Sequence, residues 1–161
     1  MLEAMSYHVC LVCMGNICRS PMAEVVLRHT LAEHGLDRLV TVDSAGTDGW
    51  HEGGPMDDRA ASTLVVHGLD GSAHRARRFR SEWFGYADLV LAMDAANLRA
   101  LRRIAPPGAD VRLMRSFDPA APANAEVPDP YYGGDEGFTE VLHMVRAASE
   151  GLAKHLAEAL R

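Results

Sequence analysis

The sequence predicts an α/β fold, a parallel sheet with helices on both faces. Three observations carry this. Short β-rich apolar runs alternate with longer stretches of helical spacing along the whole chain. The short runs are apolar almost throughout, as in strands covered on both faces. Each is separated from the next by a helix, the order of right-handed crossovers between parallel strands. In such folds ligands gather beyond the C-terminal ends of the strands, near a topological switch point. The loop after the first strand is therefore the first place to look for a site.

Tyr7 to Val12 is the first strand. Ser20 offers an N-cap hydroxyl and Pro21 suits a first helical position. Ala23, Val26, Leu27 and Leu31 follow at helical spacing, and Gly35 ends that helix. Leu39 to Ser44 reads as the second strand, followed by a glycine-rich loop over 47–55 with Trp50 and His51. A second helix runs from Asp57 to His67, its acidic start favourable to the helix dipole. A loop covers 69–78, and Ser81 to Tyr86 forms a short helical turn. Leu89 to Met93 is the third strand. Asp94 caps a helix through Ile104 that Pro106-Pro107-Gly108 terminates. Val111 to Met114 is the fourth strand. The long loop 116–134 is of the kind that more often carries function than not. From Asp135 a last helix presents Phe138, Val141, Val145, Ala148, Leu152, Leu156 and Leu160 as one apolar stripe. Gly151, inside that helix, has no local reason.

The 161 residues fit one domain, 1–161, with residues 1–5 expected to be a flexible extension and Met5 a possible natural start. A net charge of −6 argues against a nucleic-acid binder. No run of about 18 apolar residues suggests a membrane span, and the N-terminus lacks the pattern of a secretory leader. The three cysteines lie within nine residues. That clustering suits a chemical role in a reducing, cytoplasmic compartment rather than a disulfide framework. His74 to Arg80 holds four arginines. It reads first as a solvated basic loop and second as a rim for an anionic partner.

The chemistry centres on Cys13-Met14-Gly15-Asn16-Ile17-Cys18-Arg19-Ser20-Pro21. Cys10 and Cys13 have the spacing of half a zinc site, but on a strand they point to opposite faces, and no second Cys/His pair follows. Metal is not expected, and Cys10 reads as a core residue. Cys13 lies where a strand ends over a helix N-terminus, so backbone N–H groups and the helix dipole favour an anion there. A thiol in such a setting ionises near or below neutrality and becomes a nucleophile. Arg19 can grip two phosphate oxygens. Gly15 lets the backbone bend, and Asn16 tolerates a left-handed conformation. With one glycine and no lysine, this is no nucleotide-binding loop. It suits a phosphate monoester attacked at phosphorus. The leaving group then needs an acid. Asp118, Glu126, Asp129 and Asp135 are candidates, and Asp129-Pro130-Tyr131-Tyr132 stands out because two aromatics follow the acid.

With these motifs in hand, the chain resembles the low-molecular-weight protein tyrosine phosphatases, bacterial ones in particular. The resemblance rests on Val12 through Glu24, Asp43-Ser44-Ala45-Gly46-Thr47, Met93-Asp94 and Asp129-Pro130-Tyr131-Tyr132, in that order over nearly the whole chain. It implies a single phosphatase domain of flavodoxin-like type with a four-stranded parallel sheet. It implies Cys13 as nucleophile, Arg19 as phosphate ligand and Asp129 as general acid and then base. Met14, Gly15, Asn16, Ile17, Cys18 and Ser20 would form the phosphate loop, and Ser44 and His74 would join Asn16 and Ser20 in its supporting network. Trp50, Tyr131 and Tyr132 would wall the substrate pocket. Cys18 would be able to trap Cys13 as a reversible disulfide. No cofactor is implied. The partners would be phosphotyrosine proteins, with inorganic phosphate as product and inhibitor, and the enzyme would act as a monomer. Met14 departs from the usual Thr or Leu. Relatives that act on phosphoarginine carry threonine where this chain has Ile17, which favours an aromatic ester.

Three alternatives are weighed against phosphotyrosine hydrolysis. An arsenate reductase needs further cysteines, and none follows Cys18. A phosphotyrosine-binding module has no use for both a nucleophile and a distant acid. A protein-arginine phosphatase stays open on the fold and is disfavoured by Ile17.

Overall fold

The computed structural model describes residues 6–160; the expected extension at 1–5 lies outside them. Four strands, β1 (Tyr7–Cys13), β2 (Val40–Gly46), β3 (Leu89–Ala92) and β4 (Val111–Leu113), form one sheet. All pairs are parallel and the order is β2-β1-β3-β4. The chain steps from β1 to one neighbour and then crosses back to the other, so the switch point falls at the C-terminal ends of β1 and β3. Cys13 ends one of these strands and Asp94 lies just past the other.

The helices are α1 (Arg19–Glu33), α2 (Asp58–Val66), α3 (Ala95–Ile104) and α4 (Asp135–Leu160). Val9, Leu11 and Cys13 of β1 face a core built with α1, α2 and α4. Cys10 and Val12 face the opposite core, with Leu101 of α3 and Phe79. The alternation of a strand thus separates Cys10 from Cys13, as expected. Both faces are covered, which is why β1 has no polar stripe.

Several boundaries differ from the sequence reading, each for a tertiary reason. The strand β1 extends to Cys13 and β2 to Gly46 because those two residues pair in register. Helix α1 begins at Arg19 with Cys18 at the cap position. Ser20 therefore lies inside the helix, and the expected cap is corrected: its hydroxyl serves the Cys13 loop instead. The basic stretch is only partly a solvated loop. Gly46 and Arg78 form a parallel bridge, and Ala76 and Phe79 are buried.

Gly151 acquires its reason here. A Cβ at this position would sit 1.7 Å from the carbonyl oxygen of Phe117 and 2.9 Å from its carbon. The short 3₁₀ turn Met114–Phe117 presses against α4 at that point. Helix propensity is sacrificed to let two backbones meet.

Candidate active site

The loop between β1 and α1 is shaped by Asn16, which has φ of 56° and is fully buried. A left-handed residue persists where its side chain is held from several directions. The Asn16 Nδ2 donates to Ser20 Oγ at 2.7 Å and to Ser44 Oγ at 3.0 Å. Its Oδ1 accepts the Arg77 backbone N–H at 3.0 Å, and its carbonyl meets His74 Nε2 at 2.7 Å. Ser44 in turn donates to Glu24 Oε1 at 2.6 Å, and Glu24 is paired with Arg28 at 2.9 Å. Burial pushes the His74 imidazole below its usual range, against the pull of the Asn16 carbonyl. A neutral ring with Nε2–H satisfies that carbonyl.

This network ends on sulfur. The Asn16 backbone N–H lies 3.3 Å from Cys13 Sγ, and Ser20 Oγ lies 3.0 Å from it. The β2 end closes the loop from the other side. Thr47 and Asp48 donate backbone N–H groups to the carbonyls of Cys13 and Met14 at 2.9 and 3.0 Å. Gly46 is needed there, since a Cβ would fall 2.6 Å from the Met14 oxygen.

Arg19 is 3 % exposed. Its Nη1 donates to Asp94 Oδ2 at 2.6 Å and to the Val127 carbonyl at 3.1 Å. Burial opposes its charge, but the Cys13 sulfur, Asp94 and Asp129 together hold the guanidinium above its usual range. Asp94 also caps α3 through the Asn97 N–H at 2.8 Å. The sequence reading found the cap and missed the second role. The only local signal was an acid at the end of the strand beside β1.

Of the four candidate acids, Asp129 alone borders the cavity. Its Oδ2 lies 3.9 Å from Arg19 Nη2, and its Oδ1 accepts the Tyr131 N–H at 3.1 Å. Glu126 instead accepts the Ala95 N–H at the start of α3, at 2.7 Å. Asp118 accepts the Ala120 N–H in its own turn, and Asp135 opens α4.

Cys13, Arg19 and Asp129 share one cavity of about 390 Å³. Met14 and Ile17 of the loop, Trp50, Tyr131 and Tyr132 line it, and so does His51, which the sequence reading placed only in a loop. The His51 ring packs against Gly15, where a Cβ would be 3.2 Å from its Cδ2. Trp50 and Tyr132 are highly exposed, and Tyr131 and Tyr132 meet edge to face with centroids 4.9 Å apart. Cys18 borders the same cavity. Burial, and after it the charge of Asp57, pushes its thiol up to about 12, so it is protonated at neutral pH. Ser44 and His74 lie behind the loop, outside the cavity. Among the described residues, no group of three or more His, Cys, Asp or Glu side chains is placed to hold a metal ion. No described helix is long and apolar enough to cross a membrane.

An oriented guanidinium, a sulfur within hydrogen-bond reach of a backbone N–H and a carboxylate across the cavity suit attack on a tetrahedral oxyanion ester. Comparison with known proteins agrees. The family model described as low molecular weight phosphotyrosine protein phosphatase matches residues 8–161. A low molecular weight protein-tyrosine-phosphatase of Streptomyces coelicolor is 57% identical over 152 residues, 92% of each chain. Among solved structures, a protein tyrosine phosphatase from Entamoeba histolytica superposes with a TM-score of 0.91 at 35% identity, covering 97% of this chain and 100% of that one. A drosophila arginine phosphatase superposes with a TM-score of 0.84 at 31% identity, covering 91% of this chain and 96% of that one.

Proposed function

The chain belongs to the low molecular weight phosphotyrosine protein phosphatase family, and from that premise we propose how its own residues hydrolyse phosphotyrosine. It is a cysteine-dependent protein-tyrosine-phosphatase. The observation that carries the assignment of roles is the convergence of Cys13, Arg19 and Asp129 on one cavity, with Arg19 pinned by Asp94.

The phosphoryl group of the substrate sits in the Cys13 loop with two oxygens on the Arg19 fork. Cys13 Sγ attacks phosphorus, and the bond to the tyrosyl oxygen breaks. Asp129 gives its proton to that oxygen, so tyrosine leaves neutral. The phosphocysteine is then hydrolysed. Asp129, now ionised, takes a proton from water, the water oxygen attacks phosphorus, and the Cys13 thiolate departs. Arg19 balances the charge that spreads over the equatorial oxygens in both steps. Inorganic phosphate is the product, and it competes for the same loop.

Ile17, Trp50, Tyr131 and Tyr132 give the cavity an apolar, aromatic mouth that suits a phenyl ring. The likeness to an arginine phosphatase means that the fold alone does not separate the two substrates. Ile17 does, since it offers no hydroxyl to a guanidinium. A reducing, cytoplasmic setting keeps the Cys13 sulfur reduced, and a monomer leaves the exposed mouth open to phosphotyrosine proteins. The test is a panel of phosphotyrosine, phosphoserine and phosphoarginine peptides with the wild type and Cys13→Ser. Turnover of phosphotyrosine alone, lost in Cys13→Ser, is expected. Preference for phosphoarginine, or activity retained without the thiol, overturns the reading.

A further inference from the structure

Tyr131 stands on a loop, yet a cation covers one of its faces. The Arg59 guanidinium carbon lies 5.4 Å from the centroid of Tyr131 and 4.7 Å from that of Phe138. Phe138 is fully buried in α4, so Arg59 bridges a ring of the core to a ring of the cavity wall. The guanidinium is itself fixed. Its Nε and Nη2 grip the two Asp57 oxygens at 3.2 and 3.1 Å. The Arg59 backbone N–H adds a bond to Asp57 Oδ1 at 2.9 Å. Asp57 is tied in turn to the Cys13 loop, its N–H donating to the Ile17 carbonyl at 2.9 Å. One short segment at the start of α2 therefore links the phosphate loop, the core and the aromatic wall. Arg59 itself does not border the cavity.

We propose that Arg59 is a positioning residue for aromatic recognition: Asp57 anchors its guanidinium, and the guanidinium holds the Tyr131 ring in place as a wall for the substrate's phenyl group. The proposal rests on the reading of Tyr131 as that wall. A planar cation with a bidentate anchor suits the task better than a lysine, because the anchor fixes its orientation while it meets both rings. The loop that bears Tyr131 also bears Asp129, but the cation lies over the ring, so its effect falls on binding before chemistry.

The test is a double-mutant cycle of Arg59→Ala and Tyr131→Ala, with KM for phosphotyrosine and Ki for inorganic phosphate as readouts. Arg59→Ala should raise KM by about two- to fivefold, the scale of a partly exposed cation–π contact. It should leave kcat less affected and leave the phosphate Ki unchanged, since phosphate touches no aromatic wall. In the Tyr131→Ala background, Arg59→Ala should add nothing to KM. Arg59→Lys, which keeps a cation near the rings, should recover part of the loss and serves as the probe if Arg59→Ala fails to fold. Equal losses in both backgrounds, or a parallel rise in phosphate Ki, overturn the proposal, because a role confined to the helix start or the phosphate loop predicts these. If Tyr131→Ala itself leaves KM unchanged, the wall reading fails and takes this one with it. If Tyr131→Ala raises KM and Arg59→Ala does not, the Arg59 proposal fails alone.

Discussion

Replacing Asp94 by Asn separates the two tasks that this carboxylate performs. One oxygen accepts the Asn97 N–H at 2.8 Å and caps α3; the other accepts Arg19 Nη1 at 2.6 Å. An amide has the same shape but only one acceptor. If its oxygen keeps the cap, its NH₂ meets Arg19 donor to donor. If its oxygen turns to Arg19, the cap is lost. In the first case Arg19 keeps, among the described residues, only the Val127 carbonyl at 3.1 Å and the distant Asp129. A hydrogen bond to a charged group contributes about 1.5–3 kcal/mol. Lost from an arginine that must meet two phosphate oxygens in register, this corresponds to a fall of roughly one to two orders of magnitude in kcat/KM. The assay is steady-state hydrolysis of para-nitrophenyl phosphate with the phosphate Ki measured alongside, and a thermal melt to confirm the fold. A folded Asp94→Asn enzyme within about twofold of wild type refutes the reasoning that Asp94 orients Arg19.

Three further outcomes follow from the same geometry. Gly151→Ala should destabilise despite a helix-propensity gain of about 1 kcal/mol. The added Cβ meets backbone, not a side chain that can turn away, and a Tm no lower than wild type in a thermal melt contradicts the close approach. For His74, burial holds the folded value below the ordinary 6.5. The unfolded chain therefore binds more protons in that window, and this contribution, whole above pH 6.5, is lost as pH falls through the folded value. His74→Gln should show a shallower loss of Tm between about pH 7 and pH 5 than wild type; an unchanged slope assigns the effect elsewhere. Peroxide should oxidise Cys13 to the sulfenic acid, which the Cys18 thiol traps as a disulfide with loss of water. Dithiothreitol should then restore activity, and full recovery in Cys18→Ser shows that the disulfide is not needed.

The parts of the molecule readable from sequence were those whose causes are local. The run Tyr7 to Val12, the bend at Asn16 and the apolar stripe of α4 announce themselves within a few residues, and all three occur. What could not be read locally depends on partners far along the chain. Ser20 has the chemistry of a cap, but Cys13, Asn16 and Ala45 claim its hydroxyl. Glu126 has the chemistry of a catalytic acid, but its carboxylate sits on the start of α3. The arginines of 74–80 look like a solvated run. Yet Arg77 pairs with Asp43 at 2.6 Å, stacks on Trp83 and donates its N–H to Asn16. Gly151 and Arg59 are legible only once a turn and a ring from elsewhere have come into contact with them.

The central claim is a phosphocysteine on Cys13, and intact-protein and peptide mass spectrometry after rapid quenching tests it most directly. Asp129→Asn with an activated aryl phosphate is the enzyme to use. Such a leaving group needs little help from an acid, whereas hydrolysis of the intermediate still needs the base, so the intermediate accumulates. The account predicts one phosphoryl group per chain, located on the peptide that contains Cys13 and absent from Cys13→Ser. Steady turnover with no covalent adduct, or an adduct on another residue, contradicts it.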